Sequence, residues 1–131
     1  MSTYLTRQGE RNRDVLLKLL LLAAADVSGV ISLFRALNQR KVRILAYHGV
    51  DWLFEPVVNW DGLQVRPRVF RSHLRELKRR YHVVPLGQVI DALRNGASLP
   101  DNAVAITFDD GYRNNLTVAA PILKEFGFPA T

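Results

Sequence analysis

The chain has 131 residues, 48% of them hydrophobic, and no cysteine. That composition fits one globular domain and excludes a disordered chain, a disulfide scaffold and cysteine-based zinc sites. Lys and Arg total 18 against 12 acids, a formal net charge of +6, and the excess sits early: Arg7, Arg11, Arg13, Arg35, Arg40, Lys41 and Arg43, opposed there by Glu10, Asp14 and Asp26. Such a bias favours an anionic membrane surface or nucleic acid. No base-reading module or aromatic-rich basic stripe accompanies it, so nucleic acid is not an expected partner.

Residues 1–13 are polar and read as a frayed end. Residues 14–38 read as a helix: 15–22 are apolar except for Lys18, and Val27, Val30, Ile31, Phe34 and Leu37 keep helical spacing beyond Asp26. Gly29 weakens its middle. A transmembrane span needs about 20 apolar residues, and Lys18 and Asp26 interrupt this one. A signal peptide has support from the basic start and the Ala-x-Ala-like end at residues 23–25, with Lys18 against it. An amphipathic helix packed on the domain, or lying at a membrane surface, is the third reading. Residues 1–41 are thus a basic N-terminal region with a helix.

Residues 42–47 form the first predicted strand, closed by His48-Gly49. A long connection follows over 51–66, carrying Trp52, Phe54 and Trp60 and the turn residues Asn59, Asp61 and Gly62. Its aromatics either stack on sugar rings or cap the core, and the area that aromatics bury favours the core. Residues 67–80 read as a helix with Phe70, Leu74 and Leu77 inward and Arg68, Arg71, Arg75, Lys78, Arg79 and Arg80 outward. A short strand over 82–86 and a helix over 86–93, with Val89, Ile90 and Leu93 inward, lead to a stop at Asn95-Gly96.

The next strand covers 103–108. A helix over 114–126 then places Leu116, Ala119, Ala120, Leu123 and Phe126 inward, with a kink or restart at Pro121. Residues 128–131 begin another strand. Strand and helix alternate throughout, which predicts an α/β fold with strands 42–47, 82–86 and 103–108 parallel in one sheet or barrel.

The stretch that carries chemistry is Val104-Ala105-Ile106-Thr107-Phe108-Asp109-Asp110-Gly111-Tyr112. An apolar run without alternation fits a strand covered on both faces, and ligand sites in α/β folds lie at the carboxyl ends of strands. Two neighbouring aspartates buried there repel, and a divalent cation on one would relieve the repulsion and leave the other as a base. Asp-Asp-Gly alone also serves as an ordinary turn. Among the histidines, His48 ends a strand on the same predicted rim as the acids. His73 on the Arg-rich helix and His82 at a strand start read as structural.

In context, Thr107-Phe108-Asp109-Asp110-Gly111, followed by Pro121-Ile122-Leu123 and Gly127-Phe128-Pro129-Ala130-Thr131, resembles the polysaccharide deacetylase family of the NodB-homology, carbohydrate esterase type. Ile44-Leu45-Ala46-Tyr47-His48-Gly49-Val50 resembles that domain's first strand, and Phe70, His73, Leu74 and Leu77 with Val83-Val84-Pro85-Leu86 its next helix and strand. The resemblance covers residues 42–131 and implies the N-terminal portion of a deformed (β/α) barrel. It implies a hydrolase that removes acetyl groups from a glycan with a divalent metal, zinc foremost, with cobalt or nickel also suited to the ligands. Asp109 is then the catalytic base, Asp110 the metal ligand, and His48 and Tyr112 face the substrate, an acetylated polysaccharide.

A full barrel takes about 250 residues. The family's His-x-x-x-His pair, which completes the metal site, has no match here. The expectation is therefore a truncated domain with little activity of its own. The alternative is an inactive fragment that binds a membrane or a partner through its N-terminal helix.

Overall fold

The structure is a computed structural model that describes residues 17–18, 20–21, 23–25, 29–52 and 63–131. It divides into two compact units, Met1–Asn38 and Gln39–Thr131. The polar start over 1–13, Phe54 and Trp60 lie outside the described residues.

In the first unit, residues 17–18, 20–21 and 23–25 are helical and α1 spans Val30–Leu37. A single helix over 14–38 is not what forms. Gly29 takes φ 76°, a left-handed conformation that glycine adopts without steric cost, so α1 starts afresh at Val30. No residue of α1 is buried.

The second unit holds β1 Arg43–Tyr47, β2 Gly49–Val50, β3 Gln64–Val65, α2 Pro67–Arg80, β4 His82–Val83, α3 Leu86–Asn95, β5 Ala103–Phe108 and α4 Ala120–Phe126. A five-residue π-helical segment, Asn115–Ala119, leads into α4. The main sheet has the order β1-β5-β4 with both pairings parallel, as the alternation predicts. Parallel neighbours need a crossover, and α2, α3 and their loops supply it.

β5 is central and covered on both faces, which is why its sequence shows no alternation. Val104 and Ile106 pack with Phe70, Leu74 and Leu77 of α2 and Ile122 and Leu123 of α4. Ala103 and Ala105 pack with Val84 and Val89. Phe70, Leu74 and Ile106 have at most 1% of their surface exposed, and burying each stabilises the fold by about 1.5–3 kcal/mol. α2 forms where its periodicity places it: Pro67 sits in the first turn, where its missing N–H costs nothing, and Lys78, Arg79 and Arg80 load the negative end of the helix. Arg71 and Glu125 form a two-pronged ion pair between α2 and α4, with Nη2 to Oε1 at 2.9 Å. The hydrogen bonds from Arg71 hold the Glu125 carboxyl below its usual range; partial desolvation opposes them and the guanidinium charge adds to them.

Four expectations are corrected. β4 is two residues long and not a strand over 82–86, because Pro85 has no N–H to give and Leu86 already opens α3. In α3, Val89 is buried but Ile90 and Leu93 are exposed; the inward stripe runs Leu86–Val89–Ala92, all at most partly exposed. Leu116 is 76% exposed and Ile122 is buried instead. Here the restart at Pro121 takes the form of a wide turn, with the Ala120 N–H donating to Asn115 O five residues back. The wider turn makes room for the proline ring and shifts the phase of everything before it. Residues 128–131 are not a strand, although Thr131 already bonds β5: its N–H donates to Ile106 O (3.1 Å) and its carbonyl accepts from Phe108 N–H (2.8 Å).

The connection over 51–66 contains β3, which pairs in parallel with β2 as a separate two-stranded sheet. Trp52 in that connection is 66% exposed and does not cap the core.

Candidate active site

The register of β1 and β5 builds the site. Tyr47 pairs with Phe108, so the two strands end level and the next residues, His48 and Asp109, leave the sheet side by side. Asp109 N–H donates to Tyr47 O at 2.8 Å, one further rung beyond the assigned strand. Tyr47, Phe108 and Phe70 lock these ends from below: Tyr47 stacks on Phe108 at 5.7 Å between ring centroids and meets the Phe70 ring edge-on at 5.1 Å. Burial pushes the Tyr47 hydroxyl pKa up, and that hydroxyl shares a 3.1 Å hydrogen bond with His73 Nδ1. His73 is thereby structural. His82 donates from Nδ1 to Asp101 O at 2.8 Å, also a structural contact.

Past the rung the chain turns within one residue. Gly111 N–H donates to Asp109 O at 2.9 Å, and Asp110 between them has φ 62°. An i to i+2 bond around a positive φ marks the rarer, strained form of γ-turn. A non-glycine residue in this region costs about 1–2 kcal/mol. The turn aims the Asp110 carboxylate toward the β1 end, where Oδ2 lies 3.9 Å from His48 Nε2. Both aspartates are exposed, so the premise of a buried acid pair is corrected: strand ends at this rim are open to water.

Tyr112 is exposed and borders a shallow cavity of about 310 Å³ with Asp51, Asn114 and Thr117. Sequence reasoning passed over the residues that fasten the rim. Asn115 Nδ2 donates to His48 O at 3.0 Å. Asn114 Nδ2 donates to Gln64 Oε1 (3.0 Å) and Asp51 Oδ2 (3.3 Å), and Gln64 is 4% exposed. Gly49 runs so close beneath that a Cβ there would stand 2.1 Å from Gln64 Oε1. The available signal was an Asn pair at a helix start, where Asn ordinarily caps its own helix; these two reach back across the fold.

Among the described residues there is no group of three or more His, Cys, Asp or Glu placed to hold a metal. Asp110 and His48 offer one oxygen and one nitrogen donor of the kinds zinc takes, which fits part of a metal site. An apolar cavity of about 690 Å³, lined by Phe108, Leu116, Leu123 and Phe128 among others, contains neither aspartate nor His48 and is not the candidate site.

The family model for polysaccharide deacetylases matches residues 96–131, the span that contains β5 and the Asp-Asp-Gly turn. The chain carries part of a polysaccharide deacetylase domain. It is 39% identical over 87 residues to the poly-β-1,6-N-acetyl-D-glucosamine N-deacetylase of Escherichia coli K12, covering 66% of this chain and 12% of that protein. Among solved structures it is similar to the de-N-acetylase of Aggregatibacter actinomycetemcomitans, with 34% identity and a TM-score of 0.56 over 68% of this chain and 35% of that one. It is also similar to the Streptococcus pyogenes deacetylase PplD in complex with acetate, with 31% identity and a TM-score of 0.60 over 68% of this chain and 40% of that one. The parallel α/β sheet of the deacetylase portion agrees with these neighbours. The family is metal-dependent in general.

Proposed function

We propose that residues 42–131 supply the base and the first metal ligand of a glycan N-deacetylase whose complete domain is a (β/α) barrel. The observation that carries this reading is the level ending of β1 and β5, which sets Asp109, Asp110 and His48 on one rim. Asp110, exposed and held by the γ-turn, is the ligand for a divalent cation, zinc, cobalt or nickel where imidazole nitrogens complete the set. Such a cation, when bound, polarises the acetyl carbonyl and acidifies the attacking water. Asp109 takes the proton from that water as general base. His48, beside Asp110, and Tyr112, on the exposed side of the turn, orient the acetylated sugar of the polysaccharide substrate.

The described residues alone do not supply three ligands, so the test grafts this chain's aligned stretch into the E. coli relative. The chimaera is expected to release acetate from acetylated β-1,6-glucosamine oligomers in a metal-dependent way. Asp109→Asn in the chimaera should lower that rate by about 10²–10⁴, the usual share of a general base. An Asp109→Asn chimaera as active as its parent would overturn the assignment.

A second reading concerns the first unit. Val30, Leu33, Phe34 and Leu37 form an exposed apolar stripe on α1, which also carries Arg35, and Arg40 and Lys41 follow it in the sequence. No helix among the described residues is long and apolar enough to cross a membrane. We infer peripheral contact with an anionic surface, apolar stripe inward and basic groups at the headgroups. Residues 1–131 are expected to sediment with anionic liposomes and Phe34→Glu, in the stripe of α1, to release them; equal sedimentation of both proteins would count against it.

A further inference from the structure

Asn115 is tied to the rim through one end of its side-chain amide. Its Nδ2 donates to the main-chain carbonyl of His48 at 3.0 Å in a partly buried setting. A carbonyl only accepts, so this contact fixes which end of the amide faces His48. Its Oδ1 is buried and has no donor among the described residues. The backbone of Asn115 is fastened at both ends, its N–H donating to Tyr112 O (2.9 Å) and its carbonyl accepting from Ala120 N–H. The side chain is therefore delivered from a rigid turn directly downstream of Asp110.

We propose that Asn115 is a positioning residue that holds His48 opposite Asp110. The inference rests on the site reading above. His48 has no strand of its own to fix it: it lies between β1 and β2, at the point where the chain leaves the main sheet. The rung from Asp109 N–H to Tyr47 O holds the preceding residue. The clamp of Asn114 on Gln64 and Asp51 holds the chain that follows. The side chain of Asn115 reaches the main chain of His48 itself. The π-helical turn is part of the device. Because it shifts the phase of the segment, the side chain of Asn115 points back at β1 while Leu116 swings outward.

The test reads geometry in isotopically labelled protein, residues 1–131, without metal or substrate. The parent is expected to show nuclear Overhauser contacts between the His48 ring protons and the Asp110 β protons. It should also show a His48 carbonyl carbon shifted downfield by the hydrogen bond. In Asn115→Ala both signals are lost, while the contacts of the Leu74 and Ile106 methyls with Phe70 persist. Asn115→Asp keeps the shape and removes the donor; it is expected to give the same loss, and it gives the answer if the alanine variant does not fold. Thr117→Ala, which cuts a neighbouring bond in the same turn (Oγ1 to Arg113 O, 3.2 Å), should leave both signals in place. The proposal is overturned if the His48–Asp110 contacts survive in a folded Asn115 variant, if Thr117→Ala abolishes them equally, or if the parent lacks them. An inactive chimaera would defeat the deacetylase reading and leave these signals untouched, so the two failures are distinguishable.

Discussion

Phe70→Ala is expected to lower the stability of the deacetylase portion by about 3–5 kcal/mol, the range for deleting a fully buried aromatic ring. Phe70 has no exposed surface. Its ring lies edge-on to Tyr47 at 5.1 Å and to Phe108 at 6.0 Å, and such pairs add about 0.5–1.5 kcal/mol beyond the area they bury. Total stability of a domain this size is about 5–15 kcal/mol, so the variant should stand close to unfolding at room temperature. The functional consequence follows from position. Tyr47 and Phe108 are the last residues of β1 and β5, and the next residues are His48 and Asp109. A cavity under those rings loosens the rim before it loosens the far end of the sheet. Urea unfolding followed by tryptophan-independent far-UV circular dichroism gives the number. A loss below about 1 kcal/mol would mean the aromatic cluster is not packed as described, since cavities of this kind cost several times more.

The parts of this fold legible in the sequence are those with a single dominant period. The stripe Phe70, Leu74, Leu77 of α2 stands opposite a row of cations, so one phase only buries the apolar residues. β5 is legible because burial on both faces removes alternation. Where a second constraint competes, the reading slips. Pro121 forces a wide turn, and the inward face read for the segment before α4 is then displaced at Leu116. α3 docks on Ala103 and Ala105 through Val89, and nothing in its own sequence marks Ile90 and Leu93 as the wrong stripe. Two-residue strands such as β2 and β3 carry no periodicity at all. The acids and His48 were legible because strand ends level in register place their next residues together. The contacts of Asn115 with His48 and of Asn114 with Gln64 join residues 67 and 50 positions apart, and no local pattern reports them.

Asp110→Gly is the substitution in which stability and function should move in opposite directions. Asp110 has φ 62°, where a side chain costs about 1–2 kcal/mol and glycine none. Glycine returns about 0.5–1 kcal/mol of that as extra freedom in the unfolded chain. The net expectation is a variant as stable as its parent or more stable by up to about 1 kcal/mol. The carboxylate itself contributes little to offset this: it is exposed, and His48 Nε2 at 3.9 Å lies beyond hydrogen-bonding distance. Asp110→Ala keeps a Cβ in the strained position and should fall below the glycine variant by about 1 kcal/mol. Both variants remove the proposed metal ligand, so in the chimaera with the E. coli relative both should lose acetate release at least as severely as Asp109→Asn. A strained residue kept where glycine would fold better is the expected mark of a side chain retained for chemistry. Thermal unfolding of residues 1–131 and acetate release by the chimaera measure the two halves separately. If Asp110→Gly destabilised the chain by more than about 1 kcal/mol, the carboxylate would be a structural group of the turn; if the glycine chimaera kept its parent's activity, Asp110 would not be the ligand.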